Sequence, residues 1–142
     1  MRRGERGNAL VEFALVSTMA LTMMFGVVDL GRALYTYHLV ANAARAATRY
    51  AIVRGSTCTV DGCPATADSI QTYARGLAPA IDPSALVVTT AWSAAAGCTD
   101  PANQGPGCIV SVSVSYPFRF LVPVLPRYTM TIRSASQMVI AQ

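Results

Sequence analysis

The chain predicts an α+β protein: a long N-terminal helix, membrane-spanning in its first half, packed on a small antiparallel sheet, with a second short helix. Three observations carry this reading. An apolar run from Asn8 to Val28 covers 21 residues, close to the ~20 a helix needs to cross ~30 Å of hydrocarbon. No proline interrupts residues 8–53. The C-terminal part alternates Val, Ile or Tyr with Ser or Thr, the period of two that marks a half-buried strand.

The first helix takes its character from one residue. Glu12 lies inside the apolar run, beside Phe13. Carrying a carboxylate to the bilayer centre costs at least ~2.5–3.5 kcal/mol, so intramembrane acids usually mark function. Its place near one end of the run lowers that cost without removing it. A cut after Gly7 would give Asn8 a new positive amine, and the amine of a neighbouring copy could lie level with Glu12 and neutralise it. An ordinary secretory signal fits less well, because its apolar region is usually 7–15 residues long and carries no acid. A plain uncleaved anchor leaves Glu12 unexplained. Arg2, Arg3 and Arg6 precede the run and place the N-terminus in the cytoplasm; Arg32, Arg45 and Arg49 on the far side weaken that assignment.

Beyond the run the helical pattern continues to Val53. Leu30, Leu34, Tyr37, Ala41, Ala44, Thr48 and Ala51 fall at spacings of three and four, which predicts one mostly small, apolar face. Asp29 and Arg32, three apart, read as a solvated surface pair worth ~0.2–0.5 kcal/mol. Residues 56–64 then form a connector. Thr66 can cap a second helix whose buried face is Ile70, Tyr73, Ala74, Leu77 and Ile81, with Pro79 and Pro83 ending it.

Strand signals follow over 85–92, over 109–116, where Val110, Val112, Val114 and Tyr116 share a face, and over 128–133, where Tyr128, Met130 and Ile132 do. The expected sheet is apolar toward the helix and Ser/Thr toward water. Residues 97–107, rich in Gly, Pro and Asn, read as a loop. The segment from Pro117 to Pro126 is apolar but broken by three prolines, which argues against a central strand. An apolar loop packed on the long helix, touching the membrane surface or meeting a partner, fits it.

Cys58, Cys63, Cys98 and Cys108 all follow the apolar run. An even count in a translocated domain reads as disulfides. Three pairings are available, and closing the local loops, Cys58 with Cys63 and Cys98 with Cys108, is favoured because short loops cost least chain entropy. The Cys-x4-Cys and Cys-x9-Cys spacings suit a zinc site poorly, so no metal is expected.

Catalytic chemistry finds no footing. His38 is the one histidine, no nucleophile can be set beside it, and Asp29, Asp61, Asp68, Asp82 and Asp100 form no motif. No glycine-rich phosphate loop occurs, so neither an enzyme nor a cofactor is expected. The 11 basic residues are all Arg and give a net charge of +4, but they form no stripe with interleaved aromatics, and no nucleic-acid partner is expected.

Three stretches carry a family resemblance: residues 6–15, Arg-Gly-Asn-Ala-Leu-Val-Glu-Phe-Ala-Leu; residues 26–35, Gly-Val-Val-Asp-Leu-Gly-Arg-Ala-Leu-Tyr; and residues 42–51, Asn-Ala-Ala-Arg-Ala-Ala-Thr-Arg-Tyr-Ala. Val112 to Phe118 adds a looser likeness. The chain resembles the TadE-like minor pilins or pseudopilins of tight-adherence (Tad/Flp) pilus systems, relatives of type IV pili. The resemblance implies a pilin-like fold and a prepilin leader at 1–7, cut by a prepilin peptidase between Gly7 and Asn8. It implies a transmembrane helix at 8–28, its extracytoplasmic continuation at 29–54 and an extracytoplasmic α+β domain at 55–142. Glu12 would pair with the N-terminal amine of an adjacent subunit. Phe13 stands where major pilins carry Tyr, which favours the minor branch. Implied partners are other pilin or pseudopilin subunits, the peptidase, the inner-membrane assembly platform and the membrane itself. An uncleaved scaffold or adaptor of the same apparatus is the alternative, and a cell-surface binding module using residues 97–107 or 118–125 is a third.

Overall fold

The computed structural model describes residues 3–121 and 128–141, with side chains from residue 7 onward. Helix α1 (Arg3–Val53) runs for 51 residues without a break, about 77 Å at 1.5 Å per residue. Its first half is bare on every side: Leu10, Phe13, Leu15, Val16, Met19 and Met23 are all exposed. From Asp29 onward one stripe is buried, through Thr36, Val40, Ala43, Ala44, Ala47, Thr48 and Ala51.

The outer part of the expected face is correct and the inner part is not. Ala41, Ala44, Thr48 and Ala51 are buried, whereas Leu30, Leu34 and Tyr37 are at least half exposed. The packed stripe begins one residue earlier, as Asp29, Ala33, Thr36 and Val40 at spacings of four, three and four. Hydrophobicity alone pointed to Leu30; what turns the helix is the polar tie made by Asp29, described below.

Helix α2 (Ala67–Gly76) starts at Thr66, whose hydroxyl accepts from the Ser69 amide while the Ser69 hydroxyl accepts from the Thr66 amide. This reciprocal box satisfies two amides that the first turn would otherwise leave open. Asp68 in the first turn and Arg75 in the last suit the helix dipole. Ile70 and Ala74 are fully buried against the core. Tyr73, expected inside, is 39% exposed. It stacks on Tyr50 of α1 at 4.5 Å, and the Arg54 guanidinium covers the Tyr50 ring at 4.0 Å.

Strands β1 (Val87–Ser93), β2 (Ile109–Arg119) and β3 (Thr129–Val139) form one antiparallel sheet in the order β1-β2-β3. Val110, Val112 and Val114 of β2 are fully buried and form its centre with Leu86, Ile70 and Phe118. Two expectations change here. β2, the middle strand, passes through Pro117, which lies opposite Thr131 of β3. β1 ends at the Val87–Ser115 pair, so beyond Ser115 one flank of β2 has no paired strand among the described residues, and a proline without an amide hydrogen is tolerated there.

The inward face of β3 is also less apolar than its start suggests. Tyr128 and Met130 are exposed and Ile132 is buried, but the next inward positions are Ser134 and Ser136, opposite Val114 and Val112. Small residues on both partners let α1 lie close to β3. The Thr48 hydroxyl donates to the Ala44 carbonyl at 2.8 Å and lies 3.3 Å from the Ser136 carbonyl.

That close approach is testable. Ala47, next to Thr48 on the packed stripe of α1, is fully buried in the core. Ala47→Leu is expected to cost about 1–3 kcal/mol or more through overpacking, read as a lowered urea midpoint of the full chain in detergent. Ala46→Leu, on the partly exposed flank of the same turn, should change it by much less.

Both local disulfides are formed, Cys58 with Cys63 and Cys98 with Cys108. The second closes a loop whose exit is tied to the end of β3: the Gly107 amide donates to the Ile140 carbonyl, and the Ile140 amide to that of Cys108. Gly107 has φ +81°, and a Cβ there would sit 2.9 Å from the Gly97 carbonyl oxygen, so both its conformation and its surroundings call for glycine.

Candidate functional site

The site begins with the exposed half of α1. Among the described residues it holds one stretch long and apolar enough to cross a bilayer, with a mean hydropathy of 1.8 in its most apolar window. Two threonine hydroxyls inside it are satisfied within the helix. The Thr18 hydroxyl donates to the Ala14 carbonyl at 2.7 Å and the Thr22 hydroxyl to the Thr18 carbonyl at 2.8 Å, so neither presents an unsatisfied donor to hydrocarbon.

Gly7, Asn8, Glu12 and Phe13 all lie on this helix. Glu12 is exposed, as are Leu10, Val11 and Phe13 around it, and among the described residues it has no ion-pair partner. Four residues separate Asn8 from Glu12, about 6 Å of rise. A neighbouring helix displaced by that amount along the axis would bring its residue 8 level with Glu12.

The second part of the site lies where α1 leaves the apolar stretch. Asp29 is 3% exposed, so it is not the solvated partner expected of it. Its two carboxylate oxygens accept from the Leu121 backbone amide at 3.0 and 2.8 Å, and Oδ1 also accepts from Arg32 Nη1 at 3.0 Å. The Arg32 guanidinium in turn lies 5.3 Å from the centre of the Phe118 ring, which meets Phe120 edge-on at 5.3 Å. The helix, the end of β2 and the chain just past it are thereby fastened together at one level. The proline-broken segment is thus partly explained: Phe118 is a core residue and Leu121 hangs on Asp29, while Val122–Leu125 lie outside the described residues.

Sequence reasoning missed the anchoring role of Asp29. A signal was available, because Asp29, Ala33, Thr36 and Val40 form a helical stripe as regular as the one beginning at Leu30, but an acid at its head disguised it as a surface.

The other polar candidates stay apart. His38 is exposed and meets the Tyr37 ring edge-on at 5.9 Å. The Asp100 carboxylate accepts from the Gln104 amide at 2.8 Å and shapes its own loop. Asp82 accepts from both the amide and the hydroxyl of Ser84. These hydrogen bonds, the hydroxyl's foremost, hold the Asp82 carboxyl below its usual range. Among the described residues no three His, Cys, Asp or Glu side chains gather as metal ligands.

Over residues 7–49 the chain matches the model of a protein family described as TadE-like protein. The match covers α1 from Gly7 to Arg49, and with it Asn8, Glu12, Phe13, Asp29 and Arg32; the α+β domain lies outside it. A single apolar N-terminal helix together with this match suggests membrane anchoring. No curated protein and no solved structure matches the chain.

Proposed function

We propose that the chain is a minor pilin or pseudopilin of a Tad-type pilus, a structural subunit and not an enzyme. In this reading residues 1–7 are a leader on the cytoplasmic side, 8–28 span the cytoplasmic membrane, and 29–142 stand outside it. A prepilin peptidase cuts between Gly7 and Asn8. The processed subunit is passed to the inner-membrane assembly platform, and the new amine of one subunit pairs with Glu12 of the next as they join or prime the fibre.

The observation that carries the proposal is an exposed apolar half-helix bearing one carboxylate, continuous with a half that buries small residues in an α+β domain. A helix bare on every side needs a lipid or protein environment, and a carboxylate in it needs a cation. Membrane and neighbouring subunit supply the two in turn. The TadE-like match over the same helix supports the reading independently of that argument.

Gly7 lies within α1, and peptidases bind extended backbone. Glycine weakens a helix interior by ~1 kcal/mol relative to alanine, so the turn around residue 7 opens more easily than it would with alanine there. The mass of the N-terminal peptide, measured in cells with and without the prepilin peptidase, tests this. The expected result is a new N-terminus at Asn8 that requires the peptidase and is lost in Gly7→Ala. A chain that stays intact in both cells would refute processing and leave a permanent anchor.

A further inference from the structure

Just outside the apolar stretch, α1 forms one wall of a cleft of about 460 Å3 whose lining includes Arg32, Tyr35, Asp82, Tyr116, Phe118 and Arg119. Its depth is set by helix geometry. Arg32 lies four residues beyond Val28, about 6 Å of rise. The polar layer on each side of a ~30 Å hydrocarbon core is ~5–8 Å thick, given a total of ~40–45 Å. With residues 8–28 spanning the membrane, Arg32 therefore stands among phospholipid headgroups, and Tyr35, about 10 Å of rise beyond Val28, stands just outside them.

The charges in the cleft are not spent on one another. Arg32 is held through Nη1 by Asp29 and lies over Phe118, yet remains 45% exposed, which leaves further guanidinium donors free. Arg119 is exposed and forms no ion pair among the described residues. Asp82, held by Ser84, is fastened as an acceptor, and neither arginine comes within ion-pair distance of it. Two arginines, one aspartate and two tyrosines in one lining complement a molecule carrying a phosphate and an ammonium. Guanidinium suits phosphate oxygens, and a cation can rest on both a carboxylate and tyrosine faces.

We propose that this cleft binds the headgroup of a zwitterionic membrane phospholipid, its phosphate between Arg32 and Arg119 and its primary ammonium at Asp82. A free phosphoethanolamine has the same chemistry; the depth of the cleft assigns it to the membrane. The acyl chains then run down beside Phe25 and Val28, which are exposed below it. The site rests on the membrane-spanning part of the reading above and not on processing or assembly. A bound lipid would fix the height of the outer domain over the bilayer.

The test is native mass spectrometry of the full chain in detergent, titrated with phosphatidylethanolamine, phosphatidylcholine or phosphatidylglycerol of matched acyl chains. Phosphatidylethanolamine is expected to be retained at least about fivefold better than either of the others. Arg119→Ala should lower its retention about tenfold, and Asp82→Asn should remove the preference over phosphatidylglycerol. Arg49→Ala, an exposed arginine farther up α1, should leave both unchanged. Equal retention of the three lipids, or retention indifferent to Arg119 and Asp82, would overturn the proposal. So would soluble phosphoethanolamine binding as well as the lipid, which would place the ligand in solution. Carbonate extraction of cell membranes separates the two levels: a chain washed off refutes the anchor, whereas one retained without lipid preference refutes only the headgroup site.

Discussion

Glu12→Gln is expected to leave the protein inserted in the membrane and cut after Gly7, but to abolish its incorporation into pili or its priming of them. Glutamine keeps the size and hydrogen-bonding reach of the side chain and removes only the charge, so the substitution isolates the ion pair from packing. The energetics favour a large effect. An ion pair at 4 Å is worth ~4 kcal/mol at an effective dielectric of 20, and its surroundings here are drier than that. Part of this offsets the cost of burying the two charges. A net loss of about 2–3 kcal/mol per contact corresponds to roughly 30- to 150-fold weaker association. Insertion responds in the opposite direction, since neutralising an acid in an apolar stretch removes an unfavourable transfer term.

The measurement is the amount of chain in sheared pili and in the membrane fraction of the same cells. Expected is a normal membrane level with the pilus-associated fraction reduced by at least tenfold. Glu12→Asp, charged but shorter, should fall between wild type and Glu12→Gln. Glu12→Gln incorporated at the wild-type level would show that the carboxylate serves something other than subunit pairing.

How much of this was legible in the sequence follows from which interactions are local. The α1 span, the Thr66 cap and the β2 alternation are set by residues three, four or two apart, and all three are found where the pattern put them. The local cysteine pairs follow the same logic. What escaped depends on contacts far apart in the chain. The helix face could not be settled between Asp29 and Leu30 without knowing that the Leu121 amide, 92 residues away, would need an acceptor. Pro117 looked incompatible with the middle strand because the sequence does not reveal where β1 stops alongside β2. Ser134 and Ser136 lie beyond the strand the pattern marked, 128–133, and face inward where an alanine-rich helix takes the inner side. The polar cleft likewise unites Arg32, Asp82 and Arg119 from three separate segments, and no spacing rule links them.

Asp29→Ala is expected to be the most destabilising single substitution at the membrane boundary. It removes the acceptor for the Leu121 amide, which approaches both carboxylate oxygens within 3.0 Å, and it leaves that amide without its partner. Hydrogen bonds to a charged group contribute about 1.5–3 kcal/mol each, and an orphaned donor adds its own desolvation cost. The bond to Arg32 counts for less, because that side chain is 45% exposed and water can replace its partner. Together these give a loss of about 2–4 kcal/mol. For a domain of this size that is on the order of 10–20 °C in Tm, read from near-ultraviolet circular dichroism of the full chain in detergent. Asp29→Asn retains one carbonyl acceptor and should lose roughly half as much. Arg32→Ala, which spares the Leu121 contact, should lose less again. This order distinguishes an acid that fastens the sheet to the helix from one that merely pairs with a neighbouring arginine: if Arg32→Ala cost as much as Asp29→Ala, the anchor would be the ion pair and not the Leu121 amide. The position gives the difference its consequence. The tie sits where the exposed apolar half of α1 becomes the half that carries the domain, so a weakened tie lets the end of β2 swing away from the helix while the apolar half is untouched.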